Sequence, residues 1–250
     1  MSSFDKRALV FAHYHRAGLL RSDTIELLNY VGKTFFDKIV VVSTHLTDKE
    51  KSKISDFCEV IVRENIGYDF FSYSVGIQTV FSELPNAQIT LMNSSFVVLD
   101  PSLLGENYFI KHCHSLPTDF FGLTFSTEKF PHIQSFLMSF NPNVWSEGKF
   151  FDWWLYMTPE NDREVVIDKY EVGLSRFMTE QRVLYTSAVY FEPTERIGNP
   201  SHGVAKEILR DFGLAKIEFY RDNPYRLDLS FLIDQTGPHA LGLLKEGIKN

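Results

Sequence analysis

The chain has little cysteine and no long apolar run. Among 250 residues only Cys58 and Cys113 are cysteines, and no Cys-x-x-Cys pair occurs. Neither a disulfide framework nor a structural zinc site is therefore predicted. Because no apolar stretch reaches the length of a membrane span and no secretory signal is found, we expect a cytoplasmic protein.

Basic residues are also in the minority. Lysine and arginine number 25 against 32 aspartates and glutamates, which gives a formal net charge of −7. This balance argues against a general nucleic-acid binder, because such proteins present many Lys and Arg side chains to phosphate. A P-loop, a GxSxG elbow and a GxGxxG turn are missing as well, which argues against the α/β transferases and hydrolases that use them.

Aromatic residues are abundant, with 23 Phe and 11 Tyr in a chain that is 44% hydrophobic. This composition is typical of a folded globular protein, and the length suits one large α/β domain with or without an appendage. Aromatic rings stack on sugars, but most of them must fill the core. Residues 150–156 are predicted to form a helix packed on a sheet, with a glycan or membrane-surface platform as the alternative.

Residues 60–76 are the stretch around which the predicted fold is organised. Residues 60–62 are β-branched and apolar without alternation, which predicts a parallel strand covered on both faces. Asn65 and Gly67 predict a turn, and helical spacing of apolar residues begins near Asp69. The helix N-terminus would then lie at the edge of the sheet where α/β proteins bind ligands. An ordinary strand-turn-helix unit with Asp69 as N-cap explains the spacing equally.

Polar residues follow three other predicted strands, at residues 8–12, 38–43 and 88–92. His13 follows the first strand, Ser43 ends the second, and Asn93 follows the last. Short helical crossovers between such strands predict a Rossmann-like half whose strand ends meet at one edge. His13 and Ser43 could equally be plain hydrogen-bonding or turn residues.

The second half of the chain offers candidate residues on a strand and on a helix. Residues 131–140 alternate, which predicts one strand with His132 and Gln134 on the same face. These two side chains would suit recognition of acceptor hydroxyls, or they could cap a sheet edge. Glu171 lies in a stretch with helical spacing, where a carboxylate can deprotonate a hydroxyl or simply face solvent.

Seven separated stretches resemble the rhamnan synthesis protein F family, which consists of sugar transferases with a GT-A-like fold. The matching stretches appear in the family's order and span almost the whole chain: residues 10–14, 63–69, 91–95, 132–135, 170–175, 199–200 and 221–224. The resemblance implies a mostly parallel α/β sheet flanked by helices, with a GT-A-like domain over residues 1–198 and a C-terminal helical extension over residues 199–250.

The resemblance also implies transfer of a sugar, typically L-rhamnose from dTDP-L-rhamnose, to a lipid-linked cell-surface polysaccharide of the O-antigen type. We therefore expect a protein at the inner face of the cell membrane, in peripheral contact with it. By analogy with inverting enzymes of this fold, Glu171 would be the catalytic base, and His132 and Gln134 would bind the acceptor. The residues that would bind the nucleotide sugar are Ala12, His13, Ser43, Arg63, Asn65, Gly67, Asp69, Asn93, Ser94 and Ser95.

One position departs from the family pattern. Ser94 stands where family members commonly carry an aspartate, so the usual carboxylate for Mg²⁺ or Mn²⁺ is missing. The sequence therefore does not establish Mg²⁺ or Mn²⁺ as a cofactor. We expect Arg63, Arg176, Arg221 or the helix N-terminus near Asp69 to supply positive potential instead. The same departure keeps open a second interpretation, in which the chain is a noncatalytic module that binds a nucleotide sugar or glycan within a larger assembly.

Overall fold

An eight-stranded mixed sheet forms the centre of the protein, which is described here by a computed structural model. The structure describes residues 6–111, 118–145, 148–194, 197–231 and 237–248, and Cys113 lies outside these ranges. Within them, every helix is too short or too polar to cross a lipid bilayer.

The first half of the sheet is parallel. Its strands are β1 (Arg7–His13), β2 (Lys38–Ser43), β3 (Glu59–Val62) and β4 (Gln88–Asn93), which lie in the order β3-β2-β1-β4. The helices between them are α1 (Ser22–Thr34), α2 (Asp48–Lys51) and α3 (Tyr68–Glu83). The unalternating apolar runs of β1, β2 and β4 are buried, because helices cover both faces of the sheet. The predicted Rossmann-like half is confirmed.

Antiparallel strands extend the sheet in the second half. After β5 (Phe96–Val98) and α4 (Pro101–Leu104), which continues as a π-helical turn (Gly105–Ile110), come β6 (Phe120–Ser126), β7 (His132–Ile133) and β8 (Leu137–Phe140). Strand β8 lies between β4 and β6 and is antiparallel to both, and β7 pairs with β6.

A helical region then leads to the last strand of the sheet. It comprises a 3-10 turn (Pro142–Trp145), α5 (Lys149–Leu155), α6 (Arg163–Val166), a second π-helical turn (Ile167–Val172) and α7 (Gly173–Glu180). Strand β9 (Tyr185–Tyr190) follows and is parallel to β6. The sheet is therefore mixed and mostly parallel with flanking helices, which is the fold class that was expected.

The C-terminal residues pack on this body. They form α8 (Pro200–Gly203), α9 (Ala205–Phe212), β10 (Leu214–Lys216), α10 (Ile217–Asp222) and α11 (Pro238–Gly247). Strand β10 pairs with β5 in a separate two-stranded sheet. Val97 of β5 shares an apolar cluster with Leu209, Phe219 and Leu244 of this segment. The division of the chain after residue 198 stays a prediction.

Each face of the main sheet carries its own core, because side chains alternate along a strand. Leu9 and Phe11 of β1 pack with α1 on one face, whereas Val10 and Ala12 pack with α3 on the other. Helix α3 approaches β1 closely at Gly76, where a Cβ atom would lie 2.2 Å from Cγ1 of Val10. The absence of a side chain at Gly76 therefore helps fix how α3 lies on the sheet.

Two sequence-based expectations about strands were wrong. Strand β3 is an edge strand and is not covered on both faces: Val62 is 50% exposed. Residues 131–140 do not form one strand, because the chain turns between β7 and β8 so that β8 can insert between β4 and β6. Alternation of side chains alone could not show that turn, since both short strands keep the same period.

Candidate functional site

The carboxylate of Asp69 lies against the end of β4. Asp69 is in the first turn of α3, and the Nδ2 atom of Asn93 donates a hydrogen bond of 2.7 Å to its Oδ2. The Oδ1 atom of Asn93 accepts from the backbone N–H of Ser95 at 3.1 Å and from its hydroxyl at 2.5 Å. The turn 93–95 and the start of α3 thus form one hydrogen-bonded unit.

Burial dominates the electrostatics of Asp69. It raises the pKa of this carboxyl to about 6, although the hydrogen bond from Asn93 and the charge of Arg63 act in the opposite direction. The charge of Glu171 also raises this pKa, which shows that the two carboxylates share a local environment.

The bend before α3 depends on a left-handed backbone and on Arg63. Gly67 has φ +72°, and a Cβ atom there would lie 2.6 Å from Cβ of Phe71. Gly67 is the N-cap, so the expectation that Asp69 caps the helix was wrong. The Arg63 guanidinium donates to Ser72 Oγ at 2.7 Å and to the carbonyl of Tyr68 at 2.6 Å, among other partners. Arg63 therefore holds the bend in shape, while the side chain of Asn65 is exposed.

Glu171 lies within a helical run and faces the protein interior. It belongs to the π-helical turn between α6 and α7, with only 17% of its side chain exposed. Its Oε2 atom accepts from the backbone N–H of Ser135 at 2.9 Å and from the Ser135 hydroxyl. Its Oε1 atom lies 3.5 Å from Nε2 of His132. The alternative interpretation, in which Glu171 simply faces solvent, was wrong.

His132 and Ser135 keep Glu171 ionised. Burial acts to raise the pKa of Glu171, but the hydrogen bond and charge of His132 and the hydrogen bonds from Ser135 outweigh it, so the pKa lies below its ordinary value. Burial likewise acts to lower the pKa of His132, but Glu171 raises it above the usual value. Nδ1 of His132 donates to the carbonyl of Phe130 at 2.6 Å, which leaves Nε2 facing the carboxylate.

Tyr73 connects the two carboxylates. It is fully buried on α3, and its hydroxyl donates to the carbonyl of Ser135 at 2.9 Å. Burial, followed by the charges of Asp69 and Glu171, raises the pKa of Tyr73 well above its ordinary value. The charges of Asp69 and Glu171 therefore both act on one buried hydroxyl group, which bonds to Ser135.

The side chains at the ends of β1 and β2 hydrogen-bond to neighbouring groups of the protein. Nδ1 of His13 lies 2.8 Å from the Ser43 hydroxyl, and Nε2 lies 3.1 Å from the carbonyl of Leu19. Burial lowers the pKa of His13 to about 4, so its imidazole is neutral. The structure thus gives His13 and Ser43 the plain hydrogen-bonding role that had been the alternative, and it leaves their side chains buried rather than open to a nucleotide.

Ala12 and Ser94 join β1 to the turn after β4. The N–H of Ser94 donates to the carbonyl of Ala12 at 3.1 Å. The N–H of Tyr14 donates to the Ser94 hydroxyl at 3.1 Å, and that hydroxyl lies 3.3 Å from the carbonyl of Tyr14. Ser94 therefore fixes the turn through the backbone. The Tyr14 ring, which is 52% exposed, lies beside it.

Gln134 lies next to Ser135 and contacts the C-terminal segment. Its Oε1 atom accepts from the Thr124 hydroxyl at 2.7 Å, and its Nε2 atom donates to Oδ1 of Asn199 at 3.3 Å. The structure brings His132 and Gln134 to the neighbourhood of Glu171, although both are buried in internal contacts.

The other predicted arginines lie elsewhere. The Arg176 guanidinium is exposed and stacks 5.1 Å from the ring centroid of Phe130. Arg221 is exposed on α10 and pairs with Asp222 at 2.7 Å. Neither side chain is among the described hydrogen-bond or ion-pair partners of Asp69, Asn93 or Glu171, and their role in supplying positive potential stays a prediction.

The site provides few carboxylate ligands for a divalent metal. Asp69 is the carboxylate beside Asn93, and one of its oxygens already accepts from that amide. Across the ranges that the structure describes, no group of three His, Cys, Asp or Glu side chains is arranged to hold a metal ion. Mg²⁺ is commonly held by one or two carboxylates together with substrate phosphates and water. The metal requirement of the site therefore stays a prediction.

A family model for rhamnan synthesis protein F matches residues 38–211. The chain belongs to this family. A related protein from Sinorhizobium fredii, the uncharacterized protein y4gN, is 28% identical over 169 residues, which cover 65% of this chain and 43% of the relative. The chain described here therefore spans less than half of the length of that relative.

Solved structures of low sequence similarity also match. Glucosyl-3-phosphoglycerate synthase from Mycobacterium tuberculosis, in complex with Mn²⁺, UDP and phosphoglyceric acid, is 10% identical with a TM-score of 0.44 over 84% of this chain and 79% of its own. 4-Diphosphocytidyl-2C-methyl-D-erythritol synthase from Anaerococcus prevotii is 10% identical with a TM-score of 0.43 over 76% and 89%. Similarities at this level do not establish a shared activity.

Proposed function

We propose that this member of the rhamnan synthesis protein F family is an inverting glycosyltransferase. It would transfer a sugar, L-rhamnose from dTDP-L-rhamnose, to a growing cell-surface polysaccharide on a lipid carrier. The observation that carries the proposal is Glu171, a partly exposed, ionised carboxylate that Ser135 and His132 hold and whose charge acts on Asp69, the partner of Asn93. Family membership supports the choice of sugar and acceptor. A lipid-linked acceptor would bring the protein to the inner face of the membrane.

In this proposal Glu171 is the base. The acceptor hydroxyl gives its proton to Glu171 while its oxygen forms a bond to the anomeric carbon, and the bond from that carbon to the donor diphosphate breaks on the opposite face. The electron pair of the broken bond stays on the diphosphate oxygen. Ser135 and His132 hold the Glu171 carboxylate by hydrogen bonding and charge, so that it is ionised before the acceptor binds.

A noncatalytic sugar-nucleotide or glycan-binding module is the second candidate. Two observations favour it: Ser94 occupies the position of the usual carboxylate, and its hydroxyl bonds the backbone of Tyr14. A lowered pKa also makes Glu171 a weaker base than an ordinary glutamate. The two candidates differ in turnover, since a binding module leaves the donor intact.

The deciding experiment measures turnover of the donor by the purified chain. We expect release of dTDP from dTDP-L-rhamnose, slow with water alone and faster with a rhamnose-containing acceptor, and a product of inverted anomeric configuration by NMR. UDP-galactose provides the comparison for donor specificity. Binding of the donor without any release would contradict the enzymatic proposal and support the binding module.

We also propose that transfer does not require a divalent metal. The same assay in EDTA should then give the rate measured in Mg²⁺, because Ser94 takes the place of the carboxylate that family members commonly offer the ion. Loss of turnover in EDTA that Mn²⁺ restores would overturn metal independence and leave the proposed transferase activity intact.

A further inference from the structure

Transfer leaves negative charge on the departing diphosphate, and this charge needs a positive partner. The arginines expected to provide it are engaged elsewhere. Arg63 donates to the carbonyls and hydroxyl of its own bend, Arg176 stacks on Phe130, and Arg221 pairs with Asp222. A further cation lies close to the turn 93–95.

Lys216 is a cation on β10, the strand of the C-terminal segment that pairs with β5. It is the last residue of β10 and pairs with Phe96, directly after the 93–95 turn. Only 13% of its side chain is exposed. Its Nζ atom donates to the Ser201 hydroxyl at 2.7 Å and lies 3.9 Å from Oε2 of Glu218, beyond hydrogen-bond distance. Since an ammonium carries three N–H groups, Lys216 has donors beyond those its described partners use.

Hydrogen bonds place Lys216 between the two sides of the site. The N–H of Ile217 donates to the carbonyl of Ser95 at 3.0 Å, which ties the lysine backbone to the turn beside Asp69. On the other side, Ser201 donates to Oδ1 of Asn199 at 2.7 Å, and this same oxygen accepts from Gln134 at 3.3 Å. Gln134 precedes Ser135, which holds Glu171.

Charged groups from both sides of the site act on Lys216. Burial lowers the pKa of Lys216, and the carboxylates of Glu218, Glu171 and Glu128 act in the opposite direction. The charge of Arg163 at the start of α6 acts on both Lys216 and Asp69. Lys216 therefore lies within electrostatic range of the proposed base and of a second, exposed cation.

We propose that Lys216 binds the diphosphate of the nucleotide-sugar donor through its ammonium group and neutralises the charge that develops as the diphosphate leaves. This inference deepens the proposed function and rests on it. The C-terminal segment would then be part of the donor site, because it delivers the cation that Asn93, Ser94 and Ser95 cannot provide.

The test compares binding of dTDP and thymidine to the wild type and to Lys216→Met. Isothermal titration calorimetry measures dTDP, and ligand-observed NMR measures thymidine. Removing a charge-assisted hydrogen bond to phosphate should weaken dTDP binding about 10- to 100-fold while leaving thymidine binding unchanged. Lys216→Arg should keep most of the dTDP affinity. Lys206→Met, which removes an exposed lysine of the same segment, should bind both ligands like the wild type.

Each outcome decides the inference. Equal dTDP affinity of the wild type and Lys216→Met would overturn it, even where dTDP-L-rhamnose turnover shows the proposed function to be right. A wild type that binds neither dTDP nor UDP would overturn both. Circular dichroism reports whether Lys216→Met folds. If it does not, Ser201→Ala decides, since this variant keeps the charge but releases the ammonium: weaker dTDP binding with unchanged thymidine binding supports the inference, and unchanged dTDP binding overturns it.

Discussion

Asp69 and Glu171 are two carboxylates of one site whose pKa values are shifted in opposite directions. Burial raises the pKa of Asp69 to about 6, with a single amide from Asn93 and no described cation in hydrogen-bond contact. Glu171 is also screened from water, but His132 and Ser135 lower its pKa below the ordinary value. Burial alone therefore does not determine whether a carboxylate is ionised. The number and the charge of its hydrogen-bond donors determine it as well.

The difference assigns different tasks to the two sides of the site. Glu171 is ionised in the neutral range, as the proposed role of accepting a proton from a hydroxyl requires. Asp69 titrates close to neutrality, so its charge is sensitive to anything that binds beside it. Three experiments test this difference between Asp69 and Glu171.

Glu171→Gln should have the largest effect. Gln is similar in size and can still accept from Ser135, but it cannot take a proton, so turnover should fall by about 10²- to 10⁴-fold while donor binding changes little. Steady-state kinetics and calorimetry measure the two effects. Glu164→Gln is the matched control, because Glu164 is 69% exposed on the same helical run. Unchanged turnover in Glu171→Gln would remove Glu171 as the base.

Asp69→Asn should change how stability depends on pH. A carboxyl whose pKa is raised on folding contributes stability that is present below its unfolded pKa of about 4 and is lost as the pH rises through about 6. Asn does not ionise, so the free energy of unfolding of Asp69→Asn should rise relative to wild type between pH 4 and pH 7, by up to about 3 kcal/mol.

Urea unfolding at several pH values measures this relative gain. Asp168→Asn, an exposed aspartate on the π-helical turn, is the control and should show a constant difference from wild type. The same constant difference in Asp69→Asn would contradict the raised pKa and make the two carboxylates alike.

His132→Gln should have the smallest effect and should make Glu171 resemble Asp69. Gln can donate a hydrogen bond but carries no charge, so the pKa of Glu171 should rise. The acid limb of the pH profile of kcat/KM should then move to higher pH by about one unit. His239→Gln, at a histidine that is 72% exposed, should leave the profile in place. An unmoved acid limb in His132→Gln would show that another group sets it.

The two sides of the site also differ in how far the sequence predicts them. The strand ends and the bend before α3 were predictable, because unalternating Val and Ile runs and Gly67 are local signals. The contacts of Glu171 were not, because its partner Ser135 lies on a turn that interrupts an apparent single strand. Tyr73 has the spacing of a core residue, and only its hydroxyl bond to Ser135 distinguishes it.

Lys216 shows the limit of sequence reasoning most clearly. It lies outside the family-matching stretches at 199–200 and 221–224, and its position depends on the pairing of β10 with β5. The contacts of the predicted arginines were equally hidden from the sequence, since an arginine can bond to its own bend or stack on a nearby ring, as Arg63 and Arg176 do. The sequence shows which residues are charged, but only the fold shows which groups each charged side chain contacts.

Glu171 lies on a π-helical turn, and the direction of its side chain depends on the one extra residue that this turn contains. Such a turn holds one residue more than the α-helical turn it replaces, and each residue rotates a helical side chain by about 100°. Deletion of a single codon within Ile167–Val172 could therefore restore a regular helix, keep α6 and α7 in register with the core, and swing the carboxylate away from Ser135. Gain or loss of activity in related chains could thus follow from an insertion or deletion of one amino acid, with the rest of the fold unchanged.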